Sequence, residues 1–325
     1  VVLKRFISIT SLVFLGLIPS AAQRLDHDSL PDYNKRKNIL LAGGVTGYAL
    51  GSAFLYQNWY ARYDRSAFHF YNDWGEWNNM DKLGHIQASY FQTDMIYKGL
   101  LWAGTNEDKA LLQAGFISLG FQSTIEIMDG FSEKWGFSVP DFASNILGAS
   151  LFVVQHNIWQ QQKLKIKYSY FPSGINSVAI TEPGSENNVL ITERKKSLFG
   201  NTLPQQMLKD YNGQTFWLSA NPSDWIPASQ WPAFLAIAAG YGSNNMLGGY
   251  SNKWKVNGTA VDGEALVGPR YRQYILALDY DLSKLRTRSP FLKQLLHMLN
   301  HLKWPAPAVE LRSDGSLHFH LLFLG

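Results

Sequence analysis

Three helix-length stretches, 81–102, 107–128 and 140–162, each carry a pair of polar side chains among mainly apolar neighbours. Asp81 and His85 are four residues apart, Glu126 and Asp129 three, and Asp141 and Asn145 four. On a helix each spacing puts both side chains on one face. Gln92 extends the first face, Ser118 and Gln122 the second, and Gly148 the third. Burying a carboxylate is costly unless it is paired, hydrogen-bonded or metal-bound. Such helices pack through their apolar faces, so the polar faces must meet water or one another. Gly84, Ala88, Gly115, Gly148 and Ala149 lie near these faces and permit close helix approach. The expectation is convergence of His85, Glu126, Asp129 and Asp141, with Asp81, Lys82 and Asn145 beside them. That cluster can be a general acid/base site or an oxygen-rich metal site with one imidazole. It can equally be a polar network that sets helix packing. Simple capping is a third reading, because Asp81, Asp129 and Asp141 all lie near helix ends.

A fourth helix is expected at Ile39–Tyr56, which has no charge and carries Gly43, Gly47 and Gly51 at four-residue spacing. This is either a membrane-contacting helix or a central buried one, with the glycines admitting another backbone. Asn106 can cap the stretch that follows it, and Pro140 suits a first helical turn. After Lys163 the pattern changes. Strands are expected at 165–171, 214–219, 233–241, 271–281, 307–312 and 317–323, and Ser313–Ser316 should turn the last two into a hairpin. Pro290–Lys303 reads as one amphipathic helix, and 173–205 as exposed loop. The predicted class is α+β: a helical bundle of about four helices (36–163), then a mixed, strand-rich segment (164–325). About six strands are too few for a closed transmembrane barrel, which needs at least about eight, so they form a mixed sheet or lie on a membrane.

The start reads as a secretory signal. Lys4 and Arg5 precede an uncharged run, Phe6–Pro19, and Ser20-Ala21-Ala22 supplies small residues for cleavage before Gln23. Residues 1–22 are therefore expected to be removed, and 23–35 to act as a linker. There is no Cys, so these residues offer no disulfide, no thiol chemistry and no lipid-modified cysteine. The net charge of +4 is spread along the chain, without the basic stripe expected of a nucleic-acid partner. Aromatic residues make up 14%, as suits a boundary between dry and wet surroundings.

The run Trp77-Asn78-Asn79-Met80-Asp81-Lys82-Leu83-Gly84-His85, with Glu126-Ile127-Met128-Asp129-Gly130-Phe131, Trp135-Gly136-Phe137-Ser138 and Asp141-Phe142-Ala143-Ser144-Asn145-Ile146-Leu147-Gly148, resembles the YfiM-like family of predicted periplasmic lipoproteins. Asp210–Ser219 and Gly240-Tyr241-Gly242 are similar to the second half of its longer, Bacteroidota-type form. Asp81, Lys82, His85, Asp141 and Asn145 also match, more distantly, the outline of VanZ-like membrane proteins. The resemblance implies an envelope location and shared sites but no reaction. The missing cysteine departs from the lipoprotein pattern.

Two functions remain open on the sequence. One is a membrane-associated binding or scaffold protein of the cell envelope, in the periplasm or at the outer membrane, with a structural polar cluster. The other is an envelope hydrolase or transferase acting on a lipid-linked or glycan substrate. There Glu126 or Asp129 would be the base, His85 its partner or a metal ligand, and Asp141 and Asn145 would orient them. No particular cofactor or metal is indicated, and the expected partner is a membrane or envelope component. His69, His156, His297 and His301 are isolated or on amphipathic faces, whereas His318 and His320 alternate on one strand and read as an exposed face. No Gly-rich phosphate loop occurs, and there is no Arg between Arg65 and Arg194, which argues against an Arg-clamped phosphoryl site in the bundle.

Overall fold

The computed structural model describes residues 32–172, 186–226 and 230–324, with 186–190 by backbone alone. The signal segment expected at 1–22 and most of the linker lie outside these residues. The fold is α+β. It divides into two compact units: the described residues up to Asp73 with Ala88–Ile158, and Trp74–Gln87 with Trp159–Gly325. The first unit is helical and the second strand-rich.

The helical unit holds α1 (Tyr33–Leu55), most of α2 (Met80–Trp102), α3 (Glu107–Gly130) and nearly all of α4 (Val139–Trp159). A π turn, Tyr56–Tyr60, follows α1, and two short parallel strands, β1 (Phe70–Tyr71) and β2 (Phe137–Ser138), pair beside the helices. Asn106 caps α3 by accepting from the backbone N–H groups of Asp108 and Lys109, satisfying donors that a helix start leaves open. Small residues do bring α3 and α4 together: a Cβ on Gly115 would stand 3.2 Å from Val153. The glycines of α1 do not act this way. A Cβ at Gly43, Gly47 or Gly51 would meet nothing within 4 Å, and no residue of α1 is buried. The central buried helix is thus ruled out. Tyr33–Tyr60 is long and apolar enough, at a mean hydropathy of 1.5, to cross a membrane.

The strand-rich unit centres on one antiparallel sheet. Its strands are β3 (Leu164–Tyr170), β4 (Gln214–Ala220), β5 (Leu235–Asn244), β8 (Tyr271–Tyr280), β9 (Ala306–Arg312) and β10 (Leu317–Phe323), in the order β10-β9-β8-β5-β4-β3. All six stand close to the expected positions. Asp314, Gly315 and Ser316 turn β9 into β10, with Gly315 at φ +87 and the Asp314 carboxylate accepting from Ser316. A separate hairpin, β6 (Lys253–Val256) with β7 (Thr259–Asp262), turns at Asn257 and Gly258, both at positive φ. That Asn-Gly pair is a strong hairpin signal which the sequence reading passed over.

Two corrections concern helices. Residues 173–205 are not all loop: α5 (Glu186–Phe199) lies within them and α6 (Leu203–Lys209) begins there. Ile191 and Phe199 are buried, Ile191 against Leu247 and Val267. Thr202 and Gln205 form a capping box around Pro204, so a polar composition masked a start signal that was present. After the four-residue α7 (Glu264–Val267), α8 covers Pro290–Leu299 rather than reaching Lys303. Ser289 caps its start, and its Phe291 and Met298 are exposed.

Candidate functional site

The expected site residues divide between the two units. Asp81, Lys82 and His85 belong to the strand-rich unit, and Glu126, Asp129, Asp141 and Asn145 to the helical one. Each group has its own geometry.

Asp81 lies in the first turn of α2. Trp77, Asn78 and Asn79, just before that helix, all have left-handed backbone at φ 50, 53 and 68. Non-glycine residues adopt this only at a cost, and here neighbours hold it. Trp77 N–H donates to the Gly249 carbonyl, Asn78 Nδ2 to Ser243 Oγ, and Tyr241 Oη to the Asn78 carbonyl. The turn aims α2 so that Met80 packs against Phe216 and Met246. Gly84 sits where a Cβ would touch Phe216 at 3.6 Å. Tyr211 Oη then donates to Asp81 Oδ1 at 2.5 Å, Lys82 Nζ to Oδ2 at 3.3 Å, and His85 Nε2 stands 3.9 Å from Oδ1. Burial pushes the Asp81 carboxyl up. The charges of His85 and Lys82 and the hydrogen bonds from Tyr211 and Lys82 outweigh it and hold the group below the usual range. Asp81 is therefore a charged anchor and not a proton donor at neutral pH.

In the helical unit, Glu126 and Asn145 are fully buried. Asn145 Nδ2 donates to Glu126 Oε1 at 3.4 Å, and its backbone carbonyl accepts from Ser89 Oγ at 2.8 Å. Ser118 Oγ and Thr93 Oγ1 both donate to the Ser89 carbonyl. Gln122 is buried one turn before Glu126. This is a continuous polar seam between α2, α3 and α4. Asp141 is also buried, and its backbone N–H donates to Ser138 Oγ, which in turn donates to Asp73 Oδ1 at 2.6 Å. In the first turn of α4, Asp141 is also favoured by the helix dipole. Asp129 turns to a different partner, Tyr60 Oη at 2.8 Å, beside the Trp135 ring.

A second polar constellation, in the sheet, was missed by sequence reasoning. Lys167 and Asp279 are both fully buried and pair at 2.7 Å. Ser219 Oγ donates to the same carboxylate at 2.6 Å, and Lys167 also donates to Asn300 Oδ1 and the Tyr280 carbonyl. Burial pushes the Lys167 ammonium down, against the pull of Asp279. Lys165 pairs with Asp281 at 2.8 Å. Lys303 lies 5.0 Å over the Trp217 ring, and burial pushes its pKa down to about 8. Further along, Glu310 is buried and accepts from Gln273, Arg312 and His320. Burial raises its carboxyl, but these hydrogen bonds leave it below the usual range. His320 thus does not belong to an exposed strand face: it faces inward with Glu310. The signal was present as the alternation Lys165, Lys167, Ser169 against Ile166, Tyr168, Tyr170. Alternation marks two faces without saying which one meets water.

No curated protein and no solved structure matches the chain. Residues 70–157, which hold Asp81 to Asn145, match the model of a family described as "Predicted periplasmic lipoprotein (DUF2279)", and this supports kinship with an uncharacterised family of periplasmic lipoproteins.

Proposed function

We propose that the protein is a membrane-associated binding or scaffold component of the bacterial cell envelope, and that its buried polar clusters hold the fold together. The observation that carries this reading is the inverted polarity of α3 and α4. On α3 the buried positions include Ser118, Gln122 and Glu126, whereas Leu112 and Phe116 are 55% and 66% exposed. On α4 Asp141, Ser144, Asn145 and Gln155 are buried, whereas Leu147, Val154 and Ile158 are exposed. A helix on a water-soluble protein does the reverse. Polar and small residues inward with apolar ones outward is the pattern of helices in lipid, where polar side chains are tolerated only when they face one another. The exposed, apolar α1 adds a segment able to enter the bilayer.

The finer assignments, to the outer membrane and to kinship with YfiM-like and, distantly, VanZ-like proteins, form part of the same proposal. Support comes from the inward-facing ion pairs of the sheet and the motifs around Asp81 and Asp141. The test is carbonate extraction of envelopes containing the full chain, followed by density separation of inner and outer membranes. We expect the protein to stay with the outer-membrane fraction. Release into the soluble fraction would overturn the reading. A Glu126→Gln variant that is fully folded and membrane-bound yet inactive in cells would replace the scaffold with the enzyme.

A further inference from the structure

The geometry points to a second lipid-contacting surface: the outer face of the six-stranded sheet seats on the acyl chains of a bilayer. This rests on the reading of a membrane-associated protein and names what the strand-rich unit does there. The register aligns Leu218 on β4, Ala239 on β5, Leu276 on β8, Val309 on β9 and Phe319 on β10 in one cross-strand row. These five are exposed, Leu276 by 59% and Phe319 by 76%, and Ile166 on β3 continues the row half-buried. The next position outward on β10, Leu321, is 89% exposed. The opposite face of the sheet holds the buried Lys167 of β3, Asp279 of β8 and Glu310 of β9. One face of the sheet thus holds paired charges beside its apolar core, and the other presents hydrocarbon to the outside.

Two features select acyl chains over a protein partner. The row has no hydrogen-bonding side chain, whereas protein interfaces carry roughly one hydrogen bond per 100–200 Å². Along β8 the outward residues run Arg272, Tyr274, Leu276, Leu278, Tyr280, an apolar centre between tyrosines with the charge outermost. Tyrosines and a cation at the rim of an apolar patch suit the headgroup level that surrounds a face seated on hydrocarbon. Buried in lipid, an open sheet edge would leave backbone groups unsatisfied. The β3 edge is met in part by the segment after α8: Tyr168 N–H donates to the His301 carbonyl, and Lys303 N–H to the Tyr168 carbonyl. The sheet therefore lies with its face against the hydrocarbon and does not span it as a wall.

The absence of native cysteine makes the test direct. Single cysteines at Leu276, Val309 or Phe319, and at the exposed Lys255 of β6, are spin-labelled in the full chain. The protein is then mixed with vesicles of phosphatidylethanolamine and phosphatidylglycerol and floated. In the floated fraction, labels at 276, 309 and 319 should be reached by oxygen and shielded from a water-soluble nickel chelate, and the label at 255 should show the reverse. Flotation with all four labels equally open to the chelate would overturn the sheet proposal and leave the membrane reading standing. Strong spin–spin coupling between copies at 319 would assign the face to a second copy and overturn it as well. Failure to float would overturn both.

Discussion

Lys167 and Asp279 carry opposite charges, and neither is exposed to solvent. Removing one partner strands the other. Asp279→Ala should cost about 3–5 kcal/mol of stability, as expected for a broken buried pair, read as a lower urea midpoint. Replacing both, Lys167→Met with Asp279→Leu, should recover much of that loss, because no charge is left to desolvate. Lys303 adds a pH dependence. Burial pushes its pKa down to about 8, whereas an unfolded lysine titrates near about 10.4. Between these values the unfolded chain binds more protons, so the Lys303 contribution to stability rises with pH through that window. Lys167, also pushed down by burial, acts in the same direction. The melting temperature should climb relative to a Lys303→Met variant as pH is raised from about 7.5 to about 9.5; parallel curves for the two proteins would contradict this. Asp81 behaves in the opposite sense. Its carboxyl is held below the usual range, so its contribution is present above the unfolded value and lost as pH falls through the folded one. Tyr211→Phe removes the 2.5 Å hydrogen bond and should move acid unfolding to higher pH, as followed by circular dichroism.

Among the elements, the Trp217 ring of β4 lies over its register partner Gly240 on β5. A Cβ on Gly240 would stand 2.6 Å from the Trp217 ring, and Trp217 is itself buried in the sheet's core with Ala238, Ile275 and Phe323. Gly240→Ala should therefore destabilise the protein by about 1–3 kcal/mol, the range for overpacking, although alanine is an ordinary strand residue. Chemical denaturation checks it. Helix α3 shows the complementary case, in which local chemistry suffices. Asn106→Ala removes an acceptor from two backbone donors and should cost about 1 kcal/mol without altering the sheet.

At the scale of the whole molecule, each unit buries paired polar groups and leaves apolar side chains on an outer face. Charges placed on the outer faces should then disturb membrane attachment more than folding. Phe116→Lys and Val154→Lys, at positions that are 66% and 50% exposed, should keep the helix content and reduce carbonate-resistant retention. Loss of helix content instead would show that these side chains serve the fold. The α+β order of elements was legible in the sequence by itself. Period 3.6 and period 2 mark helices and strands, and Asn106, Pro140 and Ser313–Ser316 announce ends and turns through local hydrogen bonding. Those signals act within a few residues of chain. Which face turns inward is a different matter, because periodicity defines two faces without assigning either to the interior. The inward pairing of Lys167 with Asp279 and of His320 with Glu310 joins different strands. The Asn145–Glu126 contact likewise joins two helices, as does the burial of Ile191 in a stretch that reads as loop. Only tertiary structure decided these, since a buried charge is tolerable only where a partner distant in sequence arrives to neutralise it.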